Sequence, residues 1–112
     1  MLDIIVRTQF IGFHCWPDAP ESQAYLRDRH RHTFHVEASM QVTHADRDIE
    51  FIELRERVDA WIAEHQHGKC NTMSCEHWAI AIASEFGFDT VEVNEDGENG
   101  ARWSGLGDVN ED

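Results

Sequence analysis

The chain has 112 residues, of which 41% are hydrophobic and 28% charged, and this composition is typical of one globular domain with a modest core. Its formal net charge of −13 at pH 7 would repel a nucleic-acid backbone, which excludes nucleic acid as an expected partner. No stretch approaches the roughly 18 apolar residues of a membrane span, and no signal-peptide pattern is visible. We therefore expect a cytoplasmic protein whose three cysteines are reduced.

The first part of the chain predicts two strands separated by a long loop. Residues 2–13 are β-branched and aromatic with loose alternation, which indicates a strand that ends near His14. Residues 15–28 hold both prolines and show no regular period, and long loops of this kind often carry function. Residues 29–43 alternate between apolar and polar, as expected of a half-buried strand. Its predicted inward side chains are His30, His32, Phe34, Val36, Ala38, Met40 and Val42.

The second part of the chain predicts two helices and two further strands. Between residues 49 and 65, apolar side chains recur at three- and four-residue steps, which indicates an amphipathic helix. A second helix is expected after Ser74, a suitable N-cap, and is expected to stop at Gly87. Residues 89–95 alternate again, and a glycine-rich turn leads to a short hairpin partner that ends at residue 104.

The element order β-β-α-α-β-β predicts an α+β fold. Two helices would cover one face of an antiparallel four-stranded sheet, within a single domain at residues 1–104. Residues 105–112 are predicted to be a frayed acidic tail.

Two histidines that share one face of a strand indicate a metal site. His30 and His32 are two residues apart and would point at the same ion, and an antiparallel first strand would bring His14 beside them. Three histidines with a fourth position open are the ligand set of a catalytic zinc site, where the ion polarises a bound oxygen or acidifies a water. The alternative is that these are strand-end imidazoles in a chain with eight histidines.

A rival metal site is conceivable farther along the chain. His67, Cys70, Cys75 and His77 fall within eleven positions and could form a Cys₂His₂ set. The cysteine spacing is longer than the usual one, and the last two residues fall at the start of the predicted helix. Small buried thiols are the better interpretation of Cys70 and Cys75.

Five motifs in register resemble one enzyme family. F-x-x-x-H at 10–14, H-x-H at 30–32, I-E-F-x-x-L at 49–54, M-S-C-E at 73–76 and V-E-V-N-E at 91–95 resemble the 6-pyruvoyl-tetrahydropterin synthase and 6-carboxytetrahydropterin synthase family. Its motifs are F-x-x-x-H, H-G-H-x-Y/F, V-x-D-F-x-x-L, P-T-x-E and V-x-V-x-E-T. The resemblance covers nearly the whole chain and implies the family's tunnelling fold, in agreement with the predicted element order.

The resemblance implies roles for individual residues. His14, His30 and His32 would bind zinc, and Glu95 would anchor the pterin-like ring through its amidine N–H groups, where fork geometry and charge act together. Glu76 would support the ring site. The alternative for Glu95 is a solvated residue before a turn, and its position on the Val91/Val93 face argues against that alternative. The alternative for Glu76 is a first-turn residue that favours the helix dipole.

In the family, an Asp-His pair works with a cysteine to move protons on the substrate side chain. Glu64-His65 is the nearest match to that pair, and His67 is a close competitor. A histidine here could act as acid or base near neutral pH. Equally, His65 could cap the polar end of its helix.

Two positions depart from the family pattern. Leu26 stands where the family has its catalytic cysteine, and Arg31 replaces the glycine between the two histidines. A leucine has no proton to exchange, so another group would have to replace the thiol. The candidates in or beside the loop are Cys15, Asp18, Glu21 and Asp28.

These observations favour a zinc-dependent lyase acting on a reduced pterin such as dihydroneopterin triphosphate, whose phosphates could meet Arg27, Arg29 or Arg31. One alternative is a zinc-containing pterin- or purine-binding protein without synthase activity, which Leu26 favours. Another is an oligomeric interaction module with an incidental histidine cluster. The resemblance implies trimers paired into a hexamer, and exposed sheet edges give an independent reason to expect a homo-oligomer.

Overall fold

The computed structural model of the chain describes residues 1–66 and 73–105. The predicted element order is confirmed. The elements are β1 Leu2–His14, β2 His30–Val42, α1 Phe51–His65, α2 Cys75–Phe86, β3 Thr90–Glu95 and β4 Gly100–Ser104. None of the helices in these described ranges is long and apolar enough to cross a membrane. Most of the predicted acidic tail, residues 106–112, lies outside the described residues.

The four strands form one antiparallel sheet in the order β1-β2-β3-β4, as the tunnelling fold requires. The β1–β2 ladder pairs every residue from Leu2↔Val42 to His14↔His30. Because side chains alternate across a strand, this register puts the even-numbered residues of both strands on one face. The predicted inward face of the second strand is confirmed, with Phe34, Val36 and the apolar positions beyond them buried.

Both helices pack on this face and close a single core. The fully buried helix residues include Val58 of α1 and Trp78 and Ile82 of α2, and they contact the inward residues of β1, β2 and β3 in one cluster. Removing each such side chain from water contributes about 1.5–3 kcal/mol to folding. The α+β arrangement with helices on one face is therefore as predicted.

Local caps fix where the helices begin and end. The Ser74 hydroxyl accepts the His77 N–H at 3.1 Å, and Gly87 ends α2 in the left-handed region at φ 77°, so both predicted boundaries are confirmed. Helix α1 begins at Phe51, two residues later than the pattern predicted. The Glu50 carboxylate accepts the N–H groups of Ile52 and Glu53, which makes Glu50 the N-cap.

The predicted loop at 15–28 contains a short 3₁₀ helix, Glu21–Leu26, that the prediction missed. The segment closes on itself, because the Trp16 N–H donates to the Leu26 carbonyl at 2.8 Å and Arg27 Nε donates to the Ala19 carbonyl at 2.9 Å. A helix this short has too few turns to produce an apolar period.

Candidate metal centre

Three histidines meet where the β1–β2 ladder ends. His14 and His30 are cross-strand partners, and His32 faces Gly12 two pairs farther in, on the same face of the sheet. Their ring centroids are 4.4, 4.9 and 5.1 Å apart. One ring nitrogen from each lies within 4.8 Å of the others. The ladder therefore brings together the three residues that the sequence predicted, close enough to bind one metal ion.

Each ring has a second polar partner that orients it. His30 Nδ1 lies 2.8 Å from the Asp28 carbonyl and His32 Nδ1 lies 2.8 Å from the Asp96 carboxylate, while the ring of His14 hydrogen-bonds the Met73 backbone. A carbonyl or carboxylate oxygen only accepts here, so the ring nitrogen beside it carries the proton. The other nitrogen keeps its lone pair, which is the arrangement typical of histidine ligands in metal sites.

An aromatic floor separates the cluster from the core. Phe34 is only 1% exposed; its ring stacks on Phe10 at 5.0 Å and meets the edge of His14 at 5.5 Å. Burial lowers the pKa of His14, and the neighbouring His30 lowers it further, against the opposing effect of Glu95. His14 is thus held neutral, and neutral imidazole is the form that binds a metal.

Glu95 approaches the same cluster from β3. Its carboxylate oxygens lie 3.4 Å from His14 Nε2 and 3.8 Å from His32 Nε2. Imidazole nitrogen with carboxylate oxygen is a donor set that suits zinc. Nitrogen atoms on one tetrahedral zinc are about 3.3 Å apart for bonds of about 2.0–2.1 Å, so the rings need to close by no more than ~1.5 Å. The residues fit a small divalent cation.

The predicted proton-transfer residues lie apart from this cluster or take structural roles. Cys15 is disulfide-bonded, so the expectation of reduced thiols is wrong for this residue; a disulfide depends on proximity in the fold, which chain spacing does not reveal. The Asp28 backbone holds His30 while its side chain is exposed. His65 stacks on Trp61 at 4.1 Å and its Nδ1 lies 2.8 Å from the Trp61 carbonyl. His67 lies outside the described residues.

The start of α2 places Glu76 and Cys75 differently. Glu76 is exposed in the first turn, whereas Cys75 is buried. Burial, together with Glu95 and Glu76, raises the pKa of the Cys75 thiol to about 12, so it stays protonated. Cys75 and His77 are two residues apart on a helix and do not face each other. The other two members of the rival metal set, His67 and Cys70, lie outside the described residues.

The three arginines that the sequence suggested for the substrate phosphates make different contacts. Arg27 binds the Ala19 carbonyl and, at 3.3 Å, the Glu21 carboxylate. The Arg29 guanidinium lies 3.9 Å above the Phe13 ring. Arg31 is exposed and lies on the face of β2 opposite the histidines.

A broad surface groove lies away from the histidines. Its volume is about 670 Å³, and its lining includes Arg7, His35, Glu37 and Asn94 but none of the three clustered histidines. Within the groove, Arg7 forms an ion pair with Glu37 at 3.0 Å, so this positive charge already has a partner. We therefore place the candidate site at the histidines.

Sequence reasoning missed Asp96 and Gln66. Asp96 was assigned only to the turn after β3, although its carboxylate contacts both His32 and the Thr33 N–H, which together hold its pKa below the ordinary value. Gln66 lies over Gly12, where a side chain of any size would meet the amide oxygen at 2.9 Å. For Asp96, the sequence offered one hint, an aspartate before a glycine in a turn. For Gln66, no sequence pattern indicated a place near the histidines.

Neither a scan of the chain against models of protein families nor a search of curated proteins finds a match.

Proposed function

We propose that the chain is a zinc-dependent enzyme of the 6-pyruvoyl/6-carboxy-tetrahydropterin synthase type, acting on a reduced pterin such as dihydroneopterin triphosphate in a lyase-type reaction. The observation that carries the proposal is the histidine cluster with Glu95 beside it. Each imidazole has one nitrogen engaged by an oxygen acceptor and the other turned toward its neighbours. An incidental group of surface histidines would not need three such orienting partners.

In this proposal His14, His30 and His32 hold the zinc ion. When bound, zinc supplies a Lewis acid that polarises oxygen atoms of the substrate side chain. Glu95 accepts two parallel N–H groups of the pterin ring, because a carboxylate matches the 2-amino-4-oxo edge in both charge and spacing. Phe34 and its apolar surroundings exclude water from one side of the histidines and so strengthen the electrostatic interactions there.

Proton transfer requires a group that the histidine cluster does not itself offer. Leu26 has no exchangeable proton, Cys15 is disulfide-bonded and His65 packs on its own helix. The proposal therefore places the acid and base among His65 and Asp28 of a neighbouring copy, with His67 as the further candidate. Such sharing fits a homo-oligomer, since β1 and β4 are the outer strands of the sheet and, within residues 1–66 and 73–105, each has an edge that pairs with no other strand. Trimers paired into a hexamer are the assembly we propose.

A second candidate is a zinc-containing pterin- or purine-binding protein without synthase activity. Two observations favour it: the leucine at position 26 and the raised pKa of Cys75, which removes the nearest buried thiol as a base. Binding without turnover needs only the cluster and Glu95.

The test is incubation of zinc-loaded protein with dihydroneopterin triphosphate, with pterin products and released triphosphate separated by chromatography. We expect turnover that His32→Ala abolishes and His35→Ala retains, since His35 lies on the opposite face of β2. Retention of the compound without turnover would favour the binding protein. If the unaltered chain binds neither zinc nor the pterin, both candidate functions are ruled out.

Glu95→Gln separates two roles for that carboxylate. If Glu95 anchors the ring, the variant keeps zinc affinity and loses pterin affinity. If it serves the metal, zinc affinity falls first, as its 3.4 Å approach to His14 would allow.

A further inference from the structure

Two aspartates flank β3 in matching positions. Asp89 precedes the strand and Asp96 follows it. The Asp89 N–H donates to the Ser39 carbonyl at 2.8 Å and its carboxylate accepts the Gln41 N–H at 2.8 Å. The Asp96 N–H donates to the Thr33 carbonyl at 2.7 Å and its carboxylate accepts the Thr33 N–H at 2.9 Å. Each residue thus fastens an end of β3 to β2 through one backbone and one carboxylate hydrogen bond; those of Asp96 go to one residue, and those of Asp89 go to two.

One contact distinguishes Asp96 from Asp89. While one oxygen of Asp96 accepts the Thr33 N–H, the other lies 2.8 Å from His32 Nδ1. The carboxylate is therefore held from two sides, by the backbone of β2 and by the imidazole. Its own backbone has φ 60°, a left-handed conformation that aspartate and asparagine tolerate better than most residues.

We propose that Asp96 is a positioning residue for the metal ligand His32: its carboxylate fixes the Nδ1–H tautomer and the ring orientation so that Nε2 faces the other two histidines. The proposal deepens the metal site on which the proposed function rests. His14 and His30 are oriented by backbone atoms, which no substitution removes directly. Of the three orienting contacts, the one to His32 is made by a side chain, so a substitution can alter it. The same substitution affects the bond from the Thr33 N–H, and the carboxylate–backbone bond of Asp89 provides the comparison for that loss.

A carboxylate behind a histidine ligand does more than orient it. Its negative charge raises the basicity of the far nitrogen and strengthens binding to a cation, and removing such a partner typically costs 10–100-fold in metal affinity. The carboxylate of Asp89 accepts a backbone N–H of β2, as the carboxylate of Asp96 does. Asp89 therefore supplies a matched control within the same chain.

The experiment compares Asp96→Asn with Asp89→Asn in the full chain, with zinc affinity measured by competition against a chromophoric chelator. We expect Asp96→Asn to lose about 10-fold or more and Asp89→Asn to stay within about twofold of the unaltered chain, while the two lose similar stability without metal. Equal zinc affinities in the two variants would overturn the proposal. Asp96→Gly, which keeps the positive φ, serves as a second variant and is expected to lose at least as much.

A second readout does not need metal. Nitrogen-15 NMR of the His32 ring in the metal-free chain should report a single Nδ1–H tautomer, which Asp96→Asn and Asp96→Gly disturb and Asp89→Asn leaves unchanged. An unchanged His32 tautomer in both Asp96 variants contradicts the proposal. Zinc binding with the expected loss in Asp96→Asn, but no pterin turnover or binding, would remove the proposed function and leave this inference standing. An unaltered chain that binds no zinc would overturn both.

Discussion

The β1–β2 ladder has two unlike ends built on one pattern. At its aliphatic end, from Leu2↔Val42 to Val6↔Ala38, the inward side chains of β2 lie under the helices and are at most 9% exposed. At its histidine end, His14 and His32 keep 15% and 21% of their side chains exposed. The same alternation runs through both ends. The two ends differ in how far the helices cover them. The aliphatic end is buried and stabilises the fold, whereas the histidine end is partly exposed and accessible to a ligand.

Phe34 marks the boundary between these two ends. Its ring contacts Phe10 on the core side and His14 on the other. Because of this partition, a change at the aliphatic end should alter stability without altering the candidate metal site. A change of one of the three histidines should alter metal binding with little effect on the stability of the metal-free chain.

The largest effect is expected from a cavity in the core. Ile82→Ala in α2 should lower the free energy of unfolding by about 2–5 kcal/mol, because Ile82 is fully buried, and urea denaturation measures the loss. Ile80→Ala removes the same atoms from the same helix where the side chain is 38% exposed, and should cost much less. Similar losses in the two variants would show that the core is not where the structure places it.

Metal addition should stabilise the chain through the histidine end of the β1–β2 ladder. Zinc at about 100 times its dissociation constant should raise the free energy of unfolding by about 2.7 kcal/mol, and a chelator should reverse the gain in a thermal-unfolding measurement. His30→Ala should abolish the gain, whereas the metal-free stability changes little because His30 is only half-buried. A zinc-dependent shift that survives in His30→Ala would move the metal site away from the cluster.

A smaller effect is expected at the cap that begins α2 near the cluster. Ser74→Ala removes the acceptor for the His77 N–H and should cost about 1 kcal/mol in chemical denaturation. Ser84→Ala, at an exposed position of the same helix, should be neutral or slightly stabilising because alanine favours helix. Equal effects would mean that the hydroxyl of Ser74 contributes nothing as a cap.

The smallest effect is a pH dependence beside the aliphatic end. Hydrogen bonds from the Ile52 and Glu53 N–H groups lower the pKa of Glu50 below its ordinary value. Its contribution is therefore present above the unfolded-state pKa and lost as pH falls through the folded-state pKa. Glu50→Gln should reduce stability near neutral pH, and the difference should vanish in acid; a difference that persists unchanged in acid would contradict the assignment. Glu56→Gln, on the exposed side of α1, is the control.

Local signals predicted nearly all of the fold. Alternation identified the strands, and Ser74 and Gly87 marked both ends of α2, because these features depend only on neighbouring residues. The same alternation placed His30 and His32 on one face, and the expected antiparallel pairing of the first two strands brought His14 beside them. The Glu21–Leu26 helix was missed because it has too few turns for an apolar period to be recognised.

The contacts that complete the site depend on pairing between distant segments. Asp96 reaches His32 only because Phe34 pairs with Glu95 across β2 and β3, and no local pattern states that register. The Met73 backbone reaches His14 through the packing of α2 on the sheet. These orienting contacts could not be predicted, because they follow from tertiary structure rather than from any motif.

The continuous ladder between β1 and β2 makes the histidine cluster depend on strand register. A slip of one residue would turn every side chain of one strand to the opposite face, which would separate His14 from His30 and His32. A metal ion bound by all three imidazoles would therefore stabilise the correctly paired strands relative to slipped ones. Metal in the surroundings would then favour the native register of β1 and β2 in addition to occupying the histidine cluster.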